Sequence, residues 1–355
     1  MTVASEADRA ALQAFGDWLG TRLPGAVLDE VERPATGASN GTYLCAARLP
    51  DGGRRDLVLR LQPVENQFLD PDVMFQHRVM EMLSAHSGLP IPVVLWAEPD
   101  PAVLGRPFFV MERVRGRVLP DSHHVEGWAL DLQPDERARL YDGAVRALAE
   151  LHEVPVGDHV AFLRRPGTGT ALDRHMAWLV RWHRWAARGR ALPVIDAGLR
   201  YVLDTCPDDP SEHVIWGDGR PGNMVFGEDL SVAAVLDWEL AATGPAEIDV
   251  AWWLMFERSQ TVARGVEPLP GVPDAEEIVG CYEQLRGVRL ADLDFYRVLA
   301  ELQFAIIVHR YVDMQVAAGL LPPDTDRARC SSPALMLAES IGVELPEPSG
   351  GPGDS

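Results

Sequence analysis

Three oxygen-bearing side chains in the second half of the 355-residue chain stand at spacings suited to phosphoryl transfer. Asp218 lies in a glycine-rich loop, Asn223 follows five positions later, and Asp237 ends the hydrophobic run that begins at Val232. Phosphoryl transfer requires an oriented hydroxyl and a divalent cation that bridges the phosphates. Asp218 can accept a hydrogen bond from the attacking hydroxyl, while Asn223 and Asp237 offer the hard oxygen ligands that Mg²⁺ prefers. The spacing therefore predicts a magnesium-dependent kinase site.

The same loop has two other interpretations. Taken singly, loop Asp and Asn residues serve in turns and helix caps. The glycines Gly217, Gly219 and Gly222 also match the dinucleotide-binding spacing. That fingerprint opens a helix after the first strand of a βαβ unit, whereas an apolar, strand-like run over residues 224–226 follows here, late in the chain. The three oxygen-bearing side chains together favour the catalytic interpretation.

Composition excludes several classes of function. The formal net charge of −21 argues against a nucleic-acid partner, because neutralising a phosphate backbone needs clustered basic residues. The chain has no lysine, so all 32 basic residues are arginines. Neither a Walker A loop nor a Schiff-base enzyme can exist without lysine.

The amino terminus and the cysteines predict a cytoplasmic protein. Residues 1–10 contain Glu6 and Asp8 and have no apolar signal-peptide core, and no run approaches the length that spans a bilayer. The four cysteines lie far apart without a Cys-x-x-Cys pair, which fits neither a disulfide framework nor a zinc site. We therefore expect no membrane partner.

Periodicity and turn signals predict an α+β fold with a sheet-rich first part and a helical second part. In the first part, helices are predicted over residues 6–19 and 73–85, with strands over residues 27–32, 42–49, 56–62, 93–97 and 107–114. In the second part, helices are predicted over residues 135–152, 172–188, 191–203, 247–256, 275–285 and 290–318, with short strands over residues 213–216, 224–226 and 232–238. The predicted domains are a nucleotide-binding lobe at 1–115, a helical catalytic and substrate lobe at 116–345, and a disordered tail at 346–355.

The sequence resembles the aminoglycoside phosphotransferase and choline kinase family over roughly residues 31–312. That family has His-Gly-Asp, an Asn five residues later, and an Asp-Trp or Asp-Phe pair that closes a strand. Residues 236–239, Leu-Asp-Trp-Glu, resemble the branch related to kinase domains of some acyl-CoA dehydrogenases. The resemblance implies a two-lobed, protein-kinase-like fold with a small antiparallel-sheet lobe, a larger helical lobe, and ATP or GTP as phosphoryl donor. It implies that Asp218 is the catalytic base, that Asn223 and Asp237 hold Mg²⁺, and that Asp249 orients the loop, with Arg220 and Glu239 in support.

The nucleotide end of the predicted site begins with a loop between two strands. Backbone N–H groups at Gly37, Ser39, Asn40 and Gly41 can lie over phosphates, and the loop resembles the family's phosphate-covering loop. Arg60 then stands where protein kinases use lysine, and a guanidinium can hold phosphate oxygens in a bidentate manner. The alternative for Arg60 is an ordinary surface arginine at the end of a strand.

Of four further positions, two follow the family pattern and two depart from it. Gln76 stands where the partner of the basic residue is usually Glu, so either Gln76 or Glu81 is the partner of Arg60. Glu112 and Val114 resemble the hinge whose backbone meets the adenine. Trp216 replaces the usual His before Gly-Asp, and we expect its indole to substitute by packing.

The arginine and tryptophan content of one predicted helix and its flank indicates the class of acceptor. Between residues 171 and 192 a single aspartate opposes five arginines. The resemblance implies that the helices before the catalytic loop help to form the acceptor pocket, which would then be lined by Trp178, Arg181, Trp182 and Trp185. The alternative is that the tryptophan face packs in the core. An Arg and Trp lining favours an anionic or apolar acceptor, such as a hydroxyacyl-CoA, over a polycation.

The expected function is ATP-dependent phosphorylation of a small-molecule hydroxyl. Two alternatives stay open: an aminoglycoside-type antibiotic kinase, and a catalytically silent nucleotide-binding module suggested by the replacements at Trp216, Arg60 and Gln76. A protein kinase is disfavoured, because no long segment for peptide docking lies between Asp237 and Asp249.

Overall fold

The computed structural model describes residues 6–34, 41–64, 67–325 and 332–344. These residues form two compact units, and the first is assembled from two distant parts of the chain. The first unit comprises the described parts of Met1–Asn66, Asp70–Arg117 and Val225–Glu239, and the second comprises the described parts of Gln67–Leu69, Val118–Met224 and Leu240–Ser355. The predicted disordered tail at residues 346–355 lies outside the described residues.

The first unit is built on a five-stranded antiparallel sheet with the order β1-β2-β3-β5-β4. Its elements are α1 (Glu6–Arg22), β1 (Val27–Glu32), β2 (Thr42–Arg48), β3 (Arg54–Leu61), α2 (Val73–His86), β4 (Val94–Glu98) and β5 (Phe108–Glu112). Alternate residues of β2, namely Tyr43, Cys45 and Ala47, lie in one hydrophobic core, as the two-residue period of a strand requires. The sheet therefore has a buried face that fixes its register.

Helix α1 closes this core through aromatic contacts. Phe15 is fully buried, and its ring meets the edge of the Phe108 ring with centroids 6.4 Å apart. The Trp18 ring lies 4.9 Å from the same Phe108 ring, also edge to face. Such pairs add about 0.5–1.5 kcal/mol beyond the burial of their area. The leading helix is thus an integral part of the first unit.

The second unit is mainly helical. Its helices are α3 (Pro134–Leu151), α4 (Ala171–Ala187), α5 (Pro193–Asp204), α6 (Glu247–Gln260), α7 (Ala275–Arg286), α8 (Leu293–Ala317) and α9 (Ser332–Ile341). Local chemistry sets several boundaries: Thr170 and Asp173 form a capping box at the start of α4, and Asp274 and Glu277 form another at the start of α7. Helix α7 ends at Gly287, whose φ of 63° is left-handed. Among the described residues, no helix is both long and apolar enough to cross a bilayer.

Short strands flank the loop that carries the candidate chemistry. They are β6 (Arg117–Val118), β7 (His213–Ile215), β8 (Met224–Phe226), β9 (Val232–Val235) and β10 (Ala242–Gly244). Strand β7 pairs with β10, and the other three form a sheet with the order β6-β8-β9.

The α+β class predicted from the sequence is confirmed, with differences in detail. The strand expected over residues 232–238 is shorter, because Asp237 leaves the extended region with φ at +62°. Strand β10 was not expected, since Ala-Thr-Gly has weak strand propensity and becomes a strand only by pairing with β7. Helix α9 was also missed, because ten residues are too short to establish a period, and it is defined by packing in the core shared with α5 and α8.

Candidate active site

The loop between β7 and β8 carries the residues predicted to do chemistry. Its first turn depends on Gly217, whose φ of +84° favours glycine. A Cβ atom at this position would lie 2.6 Å from the Leu240 carbonyl oxygen, so the close approach also excludes a side chain. A short 3-10 turn, Pro221–Asn223, then brings the Asn223 side chain back to Asp218.

The Asp218 carboxylate accepts hydrogen bonds from three side chains of the second unit. Arg220 Nε donates to Oδ1 over 3.0 Å, and Trp252 Nε1 donates to the same oxygen over 2.7 Å. Asn223 Nδ2 donates to Oδ2 over 2.7 Å and to the Asp218 backbone carbonyl over 2.9 Å. These donors favour the ionised carboxylate and fix its orientation. The Asp218 side chain remains 19% exposed, so it can still accept a hydrogen bond from a ligand.

Asn223 uses only one end of its amide in this arrangement. Because its nitrogen donates twice to Asp218, the hydrogen-bond network assigns the other position to Oδ1. No group among the described residues donates to this oxygen. An amide oxygen is a hard ligand of the kind that Mg²⁺ takes.

Asp249 holds the start of the loop from the first turn of α6. Its carboxylate is fully buried and accepts from the backbone N–H groups of Trp216 and Gly217 over 2.6 and 2.7 Å. His152 Nε2 lies 3.0 Å from the carboxylate, and the Tyr282 hydroxyl lies 2.6 Å from His152 Nδ1. Because an ionised carboxylate only accepts, neutral His152 carries its proton on Nε2 and accepts the Tyr282 hydroxyl at Nδ1. Burial raises the pKa of Tyr282, which keeps that hydroxyl protonated.

Trp216, the residue in place of the family's usual His, is a core residue. Only 1% of its surface is exposed, and its backbone N–H donates a hydrogen bond to Asp249. Its packing position leaves it no acid or base role at the loop.

Arg220 joins the loop to the segment before α3. Its guanidinium contacts both Asp218 and Asp121, with Nη1 donating to Asp121 over 2.7 Å. The same guanidinium lies over the Phe256 ring, 4.2 Å from its centroid. Burial alone would lower the pKa of Arg220, but the two carboxylates raise it above its ordinary value. Arg220 is therefore a permanent cation that fixes one edge of Asp218.

Glu257, the residue after Phe256, belongs to a buried network with His123 and His124. Both histidines are buried, and their nitrogens and a Glu257 oxygen all lie within 4.8 Å of one another. The Leu269 backbone N–H donates to His124 Nδ1, so a neutral His124 carries its proton on Nε2 and donates it to Glu257 over 2.9 Å. The Tyr141 hydroxyl contacts both His123 and Glu257. The two histidines, Tyr141 and Glu257 thus form a buried hydrogen-bonded network.

In the first unit, Arg60 on β3 forms hydrogen bonds to three side chains. Its guanidinium donates to Thr42 Oγ1 over 2.5 Å, to Gln76 Oε1 over 2.7 Å and to Asp237 Oδ1 over 3.4 Å. Glu81 is 62% exposed and is not among these partners. The partner of Arg60 from helix α2 is therefore the neutral Gln76.

Asp237 follows β9 in a left-handed backbone conformation with φ at +62°. Aspartate is one of the few residues that tolerate this region, because its short side chain can bond locally. Its side chain is 24% exposed and faces Arg60. Glu239, two positions later, is half-buried. Strain of this kind is concentrated at functional sites.

The predicted nucleotide contacts are only partly described. Gly37, Ser39 and Asn40 lie outside the described residues. Gly41 begins the strand region, and a Cβ atom there would lie 2.0 Å from the Leu61 carbonyl oxygen, so only glycine fits.

At the predicted hinge, some backbone groups at the end of β5 already form hydrogen bonds within the protein. The Glu112 N–H donates to the Val93 carbonyl over 2.9 Å. The backbone N–H of Val114 forms no hydrogen bond within the described part of the chain. Phe109 and Met111, which precede them, are buried. A purine can therefore meet the Val114 N–H without breaking an existing bond.

The four residues predicted to line the acceptor pocket have different environments in the second unit. Trp182 is 1% exposed and belongs to the core, so its face is packed against protein. Trp185 is half-buried beneath the Arg310 guanidinium, which lies 4.4 Å from the ring centroid. Arg181 is exposed and Trp178 is half-buried. Trp178 is likewise covered by a guanidinium, that of Arg165, which lies 3.7 Å from its ring centroid.

The comparisons with known proteins agree with the motif around Asp218. A family model described as "Phosphotransferase enzyme family" matches residues 30–288. Acyl-CoA dehydrogenase family member 11 of Rattus norvegicus is 27% identical over 315 residues, covering 84% of this chain and 38% of the relative. The Homo sapiens protein of the same name is 29% identical over 227 residues, covering 61% of this chain and 28% of the relative. The chain thus spans well under half the length of these relatives.

Solved phosphotransferase structures share the fold. A Ralstonia eutropha protein assigned to the aminoglycoside phosphotransferases has a TM-score of 0.69 at 23% identity, covering 93% of this chain and 98% of that one. Aminoglycoside 2'-phosphotransferase-IIIa, solved as its GDP complex, has a TM-score of 0.57 at 17% identity, with the same coverage. At these identities the similarity establishes the fold, and the kinase-like class predicted from the sequence is confirmed. Since the family model covers most of its length, the chain belongs to the phosphotransferase enzyme family.

Proposed function

We propose that this protein transfers the γ-phosphoryl group of ATP or GTP to a hydroxyl group of a small molecule. The observation that carries the proposal is the Asp218 carboxylate, which three donors hold ionised while part of its surface stays accessible. A carboxylate held in this way can accept a hydrogen bond from an alcohol and orient it for attack on a phosphorus atom. The kinase-like fold and the family membership support this role.

The residues proposed as metal ligands fit a hard divalent cation. Asn223 Oδ1 has no donor among the described residues, and Asp237 supplies a carboxylate. We assign these two oxygens to Mg²⁺, which prefers amide and carboxylate oxygen and usually completes its shell with water and substrate phosphates. Bound there, the ion would neutralise charge on the phosphates.

The phosphoryl donor is assigned to the first unit. Arg60 is a permanent cation with a planar fork of donors, which suits phosphate oxygens. The Val114 N–H and the Glu112 carbonyl are proposed to meet the purine edge. The ADP and GDP complexes of structurally similar phosphotransferases support a nucleoside triphosphate as donor.

For the acceptor we propose an anionic or apolar alcohol, such as a hydroxyacyl-CoA. Helix α4 carries the exposed Arg181 and the half-buried Trp178 and Trp185, whereas a polycation would need carboxylates. The hygromycin B complex of a structurally similar phosphotransferase supports the second candidate, an aminoglycoside kinase. A hydroxyacyl-CoA, a neutral alcohol and an aminoglycoside therefore belong in the same assay.

The decisive experiment measures phosphoryl transfer to this panel with Mg²⁺ and with a chelator, for the wild type and for Asp218→Ala. We expect activity only with Mg²⁺ and a loss of about 10²- to 10⁴-fold in turnover for Asp218→Ala, with nucleotide affinity nearly unchanged. Asp142→Ala, on the exposed surface of α3, is the matched control and should keep full turnover. Equal activity in chelator, or full turnover of Asp218→Ala, would contradict the assignment. Binding of nucleotide without any transfer would favour the silent module.

A further inference from the structure

Arg165, between α3 and α4, is a cation without a carboxylate partner. Its Nη1 contacts His175 Nδ1 over 3.1 Å, and its Nη2 donates to the Leu240 carbonyl over 3.3 Å. The guanidinium carbon lies over the Trp178 ring, 3.7 Å from its centroid. In the described residues no Asp or Glu forms an ion pair with Arg165.

Neighbouring arginines of the second unit differ in this respect. Their carboxylate partners are Glu212 for Arg164 and Arg174, Asp313 for Arg190, Asp218 and Asp121 for Arg220, Glu301 and Glu339 for Arg258, and Glu153 for Arg286. Arg137 also has no carboxylate partner among the described residues, but it donates to three backbone carbonyls, whereas Arg165 contacts one carbonyl and His175.

The surroundings of Arg165 leave its charge uncompensated. Burial lowers the pKa of Arg165 to about 9. His175 supplies no compensating negative charge. Its Nδ1 accepts a hydrogen bond from the guanidinium, which only donates, and burial lowers the pKa of His175 well below the usual value. Asp249 favours the charged form of Arg165, but its oxygens are already occupied by the loop N–H groups and His152. A desolvated charge of this kind is costly unless a partner is supplied.

This cation lies next to the catalytic loop within the second unit. The Leu240 carbonyl that Arg165 contacts is the one packed against Gly217, and Gly217 directly precedes Asp218. A guanidinium uses two of its five donors in the contacts above, which leaves donors for a ligand. Stacking on Trp178 holds the plane of the guanidinium and leaves its edge available.

We propose that Arg165, held on Trp178, binds an anionic oxygen group of the acceptor alcohol, either a carboxylate or a phosphate. The ligand then supplies the missing negative charge, and the alcohol is selected by its anionic group while Asp218 orients its hydroxyl. This proposal rests on the proposed phosphotransferase function, and it assigns substrate selection to a residue that the motifs do not include.

The test compares Arg165→Gln with Arg164→Gln, because Arg164 is the adjacent arginine, more exposed and paired with Glu212. Three probes separate the sources of the anion: 3-hydroxybutyryl-CoA carries phosphates, 3-hydroxybutyrate carries a carboxylate, and methyl 3-hydroxybutyrate is neutral. We expect Arg165→Gln to raise KM for at least one anionic probe by about 10- to 100-fold, the effect of losing a hydrogen bond to a charged group. The KM for the neutral ester and for the nucleotide should stay within about 2-fold, and Arg164→Gln should leave all values unchanged.

Direct binding separates this proposal from the proposed function. Calorimetry of each probe, without nucleotide, should give weaker binding of an anionic probe to Arg165→Gln than to the wild type, whether or not transfer occurs. Should Arg165→Gln fail to fold, Arg165→Lys serves instead, since it keeps the charge but loses the planar fork of donors, and it should weaken anionic probes without affecting the ester. The proposal is wrong if the wild type binds the ester as tightly as both anionic probes. It is equally wrong if the variants weaken all three probes alike.

Discussion

Trp252 contacts the reactive group directly, although no motif identifies it. Its indole N–H donates to Asp218 Oδ1 over 2.7 Å, and the neighbouring Trp253 buries an indole N–H that has no acceptor in the described residues. The two residues share a helix and a residue type but differ in this one bond. They therefore form a natural pair for measuring what the bond does.

We predict that Trp252→Phe lowers turnover by about 10- to 100-fold, because a hydrogen bond to a charged group contributes about 1.5–3 kcal/mol. The nucleotide KM should hardly change, since Asp218 is proposed to act on the acceptor. Trp253→Phe removes an indole N–H that bonds to nothing described, so its turnover should match the wild type. Steady-state kinetics of both variants, with circular dichroism to confirm folding, decide the matter. Similar losses in the two variants would mean that packing, and not the bond to Asp218, sets turnover.

At this scale, the partners that could be predicted from the sequence are those that lie close together in the chain. Asp218 and Asn223 are five residues apart, and a single 3-10 turn brings their side chains together. Trp252 and His152 were missed, because their bonds to the site span 34 and 97 residues. Arg165 was missed for a different reason: its interest lies in a missing carboxylate, which only the three-dimensional surroundings reveal.

Helix α6 supports the site along its length. Asp249 in its first turn anchors the loop, Trp252 contacts Asp218, and Phe256 lies under Arg220. The helix is buried on nearly every side, so it shows little amphipathic periodicity. The sequence placed it at residues 247–256, and the structure extends it to Gln260. Strongly capped or periodic elements were predicted well, whereas β10 and α9 depend on partners distant in sequence.

Near the end of the same helix, Glu257 predicts a pH dependence of stability. Burial alone would raise its pKa, but hydrogen bonds from His123 and His124 outweigh burial and lower it from 4.5 to about 2. A carboxyl group with a depressed folded-state pKa stabilises the protein above pH 4.5, and this contribution is lost as the pH falls towards 2. The expected contribution at neutral pH is on the order of 3 kcal/mol.

We therefore expect the wild type to exceed Glu257→Gln in free energy of unfolding by most at pH 6, with the difference shrinking as the pH falls below 4.5. Urea denaturation at several pH values measures it. Glu267→Gln, in an exposed loop, is the control and should show a small difference at every pH. A difference between wild type and Glu257→Gln that stays constant from pH 6 to pH 3 would refute this account.

At the scale of the whole molecule, the first unit draws on residues far apart in the chain. Residues 225–239 belong to it although they follow the first half of the second unit. The Val235 N–H donates to the Pro90 carbonyl, and Gly116 packs against the Phe226 carbonyl so closely that a Cβ atom would lie 2.5 Å from it. The boundary predicted at residue 115 leaves residues 225–239 out of the first unit, because pairing across such a distance leaves no local signal in the sequence.

We predict that residues 1–117 alone do not unfold cooperatively, whereas the same residues joined to residues 225–239 by a flexible linker do. The second fragment restores the Val235 and Phe226 contacts and the carboxylate of Asp237 beside Arg60. Thermal melts of the two fragments by circular dichroism test this. Identical cooperative transitions would show that the returning segment adds nothing to the unit.

The same return of the chain has a consequence for biosynthesis. Glu239 leaves the ribosome about 120 residues after Arg117, which at ~5–20 residues per second corresponds to a delay of roughly 6 to 24 s. During that interval the sheet of the first unit has been made, but the segment that bears Asp237 has not. A nascent chain at this stage exposes surface that the finished protein covers, so it is a suitable client for chaperones that act during translation.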